Sequence, residues 1–421
     1  MTLPLSGMMS TTMITDELGI GQSSPVCIGS APFRCLAEKP SGIIKYSDFY
    51  GKTYIFVPKP NLYLWGRNIL GQIGSGDTFN RSSPTSTIGG GTTWCQVSVA
   101  DFHTAAVKTD GTLWTWGSSS RGALGTNSEV NRSSPGTTAG GGTTWCQASA
   151  GRRGSAAVKT DGTLWTWGDN PFGQLGDGTK VSRSSPGTTA GGGTTWCQVS
   201  SGGYRTAAIK TDGTLWTWGN NAWGALGNNC ASERSSPGTT AGGGTTWCNV
   251  SVNYGTHAMG IKTDGTLWTW GSNFKGELGN NSVVNRSSPG TTAGGGSNWK
   301  QAVPSVQHSA AIKSDGTLWT WGYNYSGQLG DNSTVSRSSP GTTVGGGTTW
   351  CAVAAGGSGT SGATAGIKTN GTLWTWGNNL CGRLGSNTIA GRSSPGTTAG
   401  GGTTWCSVCA SYGHMAALKS S

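Results

Sequence analysis

The chain has 421 residues, of which 75 are glycine, 33% are hydrophobic and 11% are charged. This is too few apolar side chains for one large core, so the composition favours small packing units repeated along the chain. The net charge of +11 alone would be compatible with binding to nucleic acid, which the positions of the basic residues argue against, and the 21 tryptophans are the main apolar groups available for packing.

The first 53 residues share no motif with the rest of the chain. They show neither a secretory signal nor an apolar run near the ~20 residues of a membrane span. Two of their motifs, "DELG" at Asp16–Gly19 and "SDFYGK" at Ser47–Lys52, resemble a module that begins many tailed-phage structural proteins. The resemblance implies that residues 1–53 attach the protein to a virion. The alternative is a small cap on the domain that follows.

Residues 54–421 form a second domain, built from seven units of about 51 residues. Each unit reads, in order, "LWTWG", a variable loop that ends in "GxLG", then "RSSP", "AGGG", "WCQVS" and "HTAAVKTDG". A fixed period of this length is typical of solenoids and propellers. The last tryptophan of "LWTWG" recurs at Trp65, Trp116, Trp167, Trp218, Trp270, Trp321 and Trp376.

Within each unit the signals are those of strands. The "KTDGTLW" segment places Asp-Gly between two short apolar runs, which favours a hairpin. "TLWTWG" and "TTWCQVS" alternate bulky and small residues, as pleated strands prefer, and no segment shows a useful length of helical periodicity. Four short strands per unit, repeated seven times, predict an all-β fold, a seven-bladed β-propeller.

The two ends of the repeat region predict how the ring closes. The last unit stops at "HMAALKSS" without a following "LWTWG", and the first unit begins at "NLYLWG" without a preceding "HTAAVK". We therefore expect His414–Lys419 to pair with Leu62–Trp65 and complete one blade from both ends of the chain. The alternative is that "TYIFV" at Thr53–Val57 occupies that edge.

The recurring motifs "WGxNxxGQLG", "RSSP" and "HTAAIKTDGTLW" resemble the repeats of the regulator of chromosome condensation propellers, in their bacterial and phage versions. The resemblance covers the chain from about Leu62 onward. It implies the propeller fold but says little about activity. No inserted wedge loop of the kind used by the nucleotide-exchange member of that family is present.

Two segments of each unit differ between copies, one after "WG" and one before the Ala-rich strand. In an antiparallel blade these two segments emerge on the same side, here called the variable face, and the "TDGT" and "AGGG" turns emerge on the opposite, constant face. Residues 1–53 would join at the constant face. Binding usually resides in loops on a rigid scaffold, so we expect a partner at the variable face.

The candidate partner-binding residues are aromatic and arginine side chains of the variable segments. Four aromatic residues and one arginine are assigned to one loop position, where the alternative is that they only pack the loop onto its neighbour. The other variable segment adds one arginine and one tyrosine. The candidates are Phe172, Trp223, Phe274, Tyr325 and Arg121 at the first position, with Arg153 and Tyr204 in the second segment.

No motif indicates catalysis, a cofactor or a metal: a nucleophile elbow, a phosphate-binding loop, a calcium loop and a zinc-type cysteine pair are all missing. The four histidines occupy one repeat position, and the repeated Arg and Lys are spread around the ring. A structural role is therefore expected for them, and nucleic acid is an unlikely partner. Six cysteines share one strand position in different blades, too far apart for disulfides, which favours a reducing compartment.

Together these observations predict a non-enzymatic phage virion protein, a tail or fibre-associated adhesin assembled in the host cytoplasm. Its partners would be other virion proteins through residues 1–53 and a host-surface glycan or protein through the variable loops, without membrane insertion. The alternatives are a purely structural decoration protein and an intracellular protein-binding propeller. Homo-oligomerisation is left open by the sequence.

Overall fold

The computed structural model describes residues 60–420 except 90, 92, 242, 256, 346 and 359. The proposed module at 1–53 and the alternative edge strand at Thr53–Val57 lie outside the described residues. The described chain forms seven four-stranded antiparallel sheets, the blades of a propeller, as the repeat predicts.

Blades 2 to 4 each consist of four consecutive strands. In blade 2 these are β3 (Trp94–Val99), β4 (His103–Lys108), β5 (Leu113–Gly117) and β6 (Arg132–Thr137). Blade 3 contains β7 (Trp145–Ala150), β8 (Gly154–Lys159), β9 (Leu164–Gly168) and β10 (Arg183–Thr188). Blade 4 contains β11 (Trp196–Ser201), β12 (Arg205–Lys210), β13 (Leu215–Gly219) and β14 (Arg234–Thr239).

Blades 5 to 7 follow the same order. Blade 5 contains β15 (Trp247–Val252), β16 (His257–Lys262), β17 (Leu267–Gly271) and β18 (Arg286–Thr291). Blade 6 contains β19 (Trp299–Pro304), β20 (His308–Lys313), β21 (Leu318–Gly322) and β22 (Arg337–Thr342). Blade 7 contains β23 (Trp350–Ser358), β24 (Ser361–Lys368), β25 (Leu373–Gly377) and β26 (Arg392–Thr397). Short 3-10 turns lie at Ser120–Gly122, Ala222–Gly224 and Leu380–Gly382.

Blade 1 is built from both ends of the described chain. It combines β1 (Asn61–Gly66) and β2 (Arg81–Ser86) with β27 (Trp405–Ala410) and β28 (His414–Lys419), in the order β2-β1-β28-β27. β1 pairs antiparallel with β28 over its whole length, with Leu62 opposite Leu418 and Trp65 opposite Met415. The predicted closure is therefore confirmed.

The hydrophobic core lies between neighbouring blades. One cluster joins Leu62 and Leu64 of blade 1 to Trp94, Val97 and Trp116 of blade 2, and all five side chains are buried. Each blade alone would leave such a face in water, which is why a chain with so few apolar residues can still fold when the blades stack in a ring.

The last tryptophan of each "LWTWG" motif holds two blades together through a hydrogen bond. In blade 2, Trp116 is buried and its indole Nε1 donates to the backbone oxygen of Gln72 in blade 1, at 3.0 Å. The same bond, with lengths of 2.7–3.0 Å, is made by Trp65, Trp167, Trp218, Trp270, Trp321 and Trp376. The acceptor is always the variable residue of the preceding blade's "GxLG" motif.

Glycine flanks this acceptor because there is no room for a side chain. The backbone of Gly125 has a φ of +67°, and a Cβ there would lie 2.7 Å from Nε1 of Trp167. On the other side of the motif, a Cβ on Gly122 would lie 2.3 Å from Cα of Ser184 in the "RSSP" segment of the next blade. The "GxLG" motif is therefore a contact between blades.

The repeated lysines and aspartates have structural roles, as predicted. The Nζ of Lys108 lies 4.2 Å from the ring centroid of Trp114 and 5.0 Å from that of Trp94, a cation–π arrangement. Asp110 accepts hydrogen bonds from the backbone N–H and the hydroxyl of Thr112, which fixes the Asp-Gly turn.

The four histidines are buried and each bonds to the next blade. Nε2 of His103 lies 2.8 Å from the hydroxyl of Ser155, which in turn donates to the backbone oxygen of Ala123. Since that hydroxyl has used its hydrogen, the imidazole donates through Nε2. Burial lowers the pKa of His103 to about 4 and the pKa values of His257, His308 and His414 to about 3.

We predict that Gly125→Ala destabilises the protein by about 3 kcal/mol, because the new methyl group displaces the Trp167 indole and the left-handed backbone is strained. The matched control is Gly141→Ala, whose φ is also positive at +46° but whose Cβ would meet no atom within 4 Å. The control should cost only about 1 kcal/mol. Urea unfolding measures both values, and equal losses would show that the indole contact is not responsible.

We further predict that stability falls as the pH is lowered from about 6.5 towards 4. In this range the unfolded chain binds protons at its histidines, whose ordinary pKa is about 6.5, and the folded protein does not. Each histidine should contribute a slope of about 1.4 kcal/mol per pH unit between roughly pH 5.5 and 4.5. Burial raises the pKa of Asp101 to about 6, which acts in the opposite direction.

His103→Asn tests this explanation, because asparagine keeps a donor but does not titrate. The pH dependence of its unfolding free energy should be shallower than that of the wild type by about one histidine's slope. An unchanged slope would mean that His103 does not cause the acid sensitivity.

Candidate functional site

The strand order places all variable segments on one face. Because β3, β4, β5 and β6 are successively antiparallel, the β3–β4 loop and the β5–β6 loop connect strands at the same end of the blade. The "TDGT" and "AGGG" turns connect strands at the opposite end. Asn61 pairs with Lys419 at that opposite end, so both ends of the described chain lie on the constant face.

The assignment of the aromatic candidates to one loop position is wrong. Phe172 and Trp223 are the fourth residues after "WG", whereas Phe274 and Tyr325 are the third. This offset has a structural consequence, because Trp223 and Phe274 of neighbouring blades meet edge to face, with ring centroids 4.8 Å apart.

These aromatic side chains differ in how far they are buried. Phe172 is half-buried and packs edge to face on Tyr204, with centroids 5.0 Å apart. Trp223, Phe274 and Tyr325 remain 53%, 51% and 68% exposed. The ring of Tyr323 stacks on that of Tyr325, with centroids 6.3 Å apart. We call the six residues of blades 3 to 6 the aromatic arc: Phe172, Tyr204, Trp223, Phe274, Tyr323 and Tyr325.

Arg152, next to the predicted Arg153, contacts side chains of three other blades on the variable face. Its guanidinium lies 4.5 Å over the ring of Tyr254 and donates to the hydroxyl of Tyr204 at 3.0 Å. Its Nε lies 3.9 Å from a carboxylate oxygen of Asp101. Of these residues only Tyr204 is among the candidates predicted from the sequence, because the members of the cluster come from four different blades.

The variable loops fall into two classes that the residue "x" of "GxLG" decides. Where x is Gln or Glu, its side chain accepts the backbone N–H of the fourth loop residue, as Gln174 does for Phe172 at 3.0 Å. The other loops of this class use Gln72, Glu277 and Gln328.

Where x is Ala or Arg, that acceptor is missing and the loop turns differently. The backbone N–H of the third loop residue then donates to the side-chain oxygen of the first loop residue, as that of Ala222 does to Asn220 at 3.0 Å. The fourth residue then takes a left-handed backbone, with φ of 58° at Arg121, 60° at Trp223 and 61° at Cys381. Such strain at long or bulky side chains is typical of functional loops. The loop class can be read from the sequence: "GALG" and "GRLG" indicate a left-handed fourth residue, and "GQLG" indicates a loop held by the glutamine side chain.

The arrangement is suited to contact with another molecule through arginine and aromatic side chains. In the described part of the chain, no three His, Cys, Asp or Glu side chains are placed to hold a metal ion. The same residues contain no helix long and apolar enough to span a membrane. No disulfide joins two cysteines of the described ranges.

Comparisons with known proteins agree with the fold. A profile of the RCC1-like domain matches residues 61–417. The ultraviolet-B receptor UVR8 of Arabidopsis thaliana is 31% identical over 283 residues, which cover 66% of this chain and 64% of UVR8. The match thus spans less than two thirds of that relative's length.

Two solved structures have the same architecture at low sequence identity. Human WBSCR16 superposes with a TM-score of 0.74 at 20% identity, covering 86% of this chain and 99% of that one. Prp20p from Saccharomyces cerevisiae, reported with its binding to Gsp1p and histones, gives a TM-score of 0.76 at 18% identity, with 87% and 93% coverage. The match over residues 61–417 shows that this chain belongs to the RCC1-like domain family.

Proposed function

We propose that this propeller is a non-catalytic protein-binding module whose contact surface is the variable face. One observation carries the proposal: of the fourteen exposed large hydrophobic side chains in the described ranges, twelve lie in the variable-face loops. They are Ile69, Phe79, Val130, Val181, Trp223, Phe274, Val283, Val284, Tyr325, Val335, Leu380 and Ile389. Ile88 and Val344 lie in "AGGG" turns, where their backbone N–H groups donate to the backbone oxygens of Gly74 and Gly330. Concentration of exposed apolar groups on one face is a mark of an interaction surface.

The loops hold this surface rigidly. In blade 4, Asn221 is buried, its side-chain oxygen accepts the N–H of Leu226 at 2.9 Å, and its amide donates to the backbone oxygen of Cys230 at 2.8 Å. The corresponding asparagines of other blades, Asn68, Asn170, Asn273, Asn324 and Asn379, accept the equivalent N–H. A preorganised loop loses little conformational entropy on binding, which favours affinity.

The family supports a binding role. Prp20p, which shares the fold, is reported with its binding to Gsp1p and histones. At 18% identity this likeness names no partner for the present chain, but it fits a propeller that acts by binding proteins.

A second candidate is a tail or fibre-associated adhesin of a phage virion. It is supported only by the resemblance of residues 1–53 to a phage attachment module, and the family and relatives above lend it no weight. In this proposal the constant face, where both described chain ends lie, is turned towards the particle and the variable face towards a host glycan or protein. Equal binding to host cells by the full chain and by a protein beginning at Tyr54 would support it; no binding by either would contradict it.

Site-specific photocrosslinking tests the main proposal. A benzophenone amino acid replaces Tyr325 on the variable face or, as the control, the exposed Thr211 on the constant face. In an extract of the source cells we expect a crosslinked partner protein from position 325 only. No crosslink from position 325, or the same partner from both positions, would contradict the proposal.

The purified partner then allows a quantitative test. The double variant Trp223→Ala/Phe274→Ala should weaken its affinity at least about tenfold, because aromatic side chains dominate binding energy at interfaces. Val344→Ala, which removes an exposed apolar side chain from the constant face, should leave the affinity unchanged. Equal affinities for the double variant and the wild type would exclude the aromatic arc as the contact.

A further inference from the structure

A pocket of about 260 Å³ lies on the variable face at the seam where blade 7 meets blade 1. Its lining residues are Arg67, Leu380, Cys381, Tyr412 and Gly413, and we call it the seam pocket. The aromatic arc is on blades 3 to 6, so the seam pocket is a separate feature of the face. Its volume suits one amino-acid side chain rather than a larger ligand.

Arg67 supplies a positive charge at the seam pocket. Its backbone N–H donates to the backbone oxygen of Gly413 at 2.8 Å, and a Cβ on Gly413 would lie 2.9 Å from Cβ of Arg67. The β1–β2 loop and the β27–β28 loop are therefore in close contact. The guanidinium lies 5.9 Å from the centroid of the Tyr412 ring. None of the ion pairs formed within the described residues includes Arg67.

A second guanidinium is buried beside the pocket. Arg383 is 0% exposed, and it donates to the backbone oxygens of Asn378, Ser361 and Tyr412 and to the side-chain oxygen of Asn378. All these acceptors are neutral, and burial lowers the pKa of Arg383 to about 10. Elsewhere the same "GxLG" position holds Ala, Gln or Glu, so the seam is the only blade junction of the described propeller with a cation at this position.

A buried guanidinium such as that of Arg383 is costly without a carboxylate partner, and the partly buried Arg67 adds a second positive charge beside it. The nearest internal carboxylate is Asp101, whose pKa burial raises and the charges of Arg152 and Arg67 both lower, but its ion pair is with Arg152. It is 6% exposed, accepts the backbone N–H of Tyr412 at 3.3 Å and lies 3.9 Å from Arg152. The pocket therefore has cationic and apolar walls, and no carboxylate is among its lining residues.

We propose that the seam pocket binds the carboxylate of a glutamate side chain in an acidic segment of a partner protein. Arg67 pairs with the carboxylate, and Leu380 and Tyr412 pack against the methylene groups. Leu380 is 55% exposed. An apolar wall of this kind favours a carboxylate on a short aliphatic stem over a hydrated phosphate, so a nucleic-acid backbone is the poorer fit.

Cys381 provides a reporter for occupancy, because this residue is part of the pocket lining. We would measure its alkylation rate with iodoacetamide by peptide mapping, with and without a ten-residue oligoglutamate. Cys230, which is exposed in a variable loop of blade 4, is the internal control. The expected result is slower alkylation of Cys381 with oligoglutamate and an unchanged rate at Cys230.

Two variants separate the pocket from the general charge of the face. Arg67→Gln should raise the oligoglutamate concentration needed for half-protection about tenfold, because it removes one charge-assisted contact. Lys180→Gln, which removes an exposed cation paired with Glu233 on the same face, should have no effect. Titration calorimetry of oligoglutamate into the wild type and both variants gives the same comparison without the thiol.

Three results would overturn the proposal. These are equal protection of Cys381 and Cys230, equal binding by the wild type and Arg67→Gln, and protection of Cys381 by a ten-nucleotide oligothymidine as strong as that by oligoglutamate. The last result would identify a phosphate site. None of these results depends on the aromatic arc, so the proposal can fail while the binding role of the arc stands, and the reverse also holds.

Discussion

The bond from each tryptophan indole to the backbone oxygen of the preceding "GxLG" loop is the interaction on which the rest of the structure depends. In several blades the same oxygen accepts a second bond, as Gln72 does from the hydroxyl of Thr104 at 2.9 Å. His414 then bonds to that hydroxyl at 3.1 Å. One carbonyl thus links the tryptophan, the hydroxyl and, through it, a histidine across a buried boundary between blades, where unsatisfied polar groups would be costly.

This interaction explains how the loops can vary while the ring stays constant. Only the backbone of residue "x" is needed for the bond between blades, so its side chain is free to differ. That side chain then decides the loop's conformation: Gln or Glu binds the loop backbone, while Ala or Arg leaves the fourth residue left-handed. The left-handed loops carry Arg121, Trp223 and Cys381. The bond between blades and the conformation of the loop are therefore controlled by different atoms of one residue.

The seam between blades 7 and 1 shows how such variation can produce a site. Arg383 serves the ring through its backbone oxygen, which accepts the indole N–H of Trp65 at 2.7 Å. Its guanidinium is meanwhile held by neutral oxygens next to the seam pocket. Blade 1 closes the ring, and the "GxLG" motif of blade 7 beside it carries an arginine where the other copies carry alanine, glutamine or glutamate.

The sequence alone determined the seven blades, the closure of the ring by His414–Lys419 and Leu62–Trp65, and the confinement of variable loops to one face. These follow from strand periodicity and from the antiparallel order of a blade, which are local properties. The tertiary structure decided which side chains meet. Trp223 contacts Phe274. Arg152, rather than Arg153, contacts Tyr204 and Tyr254, and Arg67 lies beside Tyr412 at the seam pocket. Each of these contacts joins residues of different blades or of the two chain ends, so it depends on how neighbouring blades pack, which no repeat motif encodes.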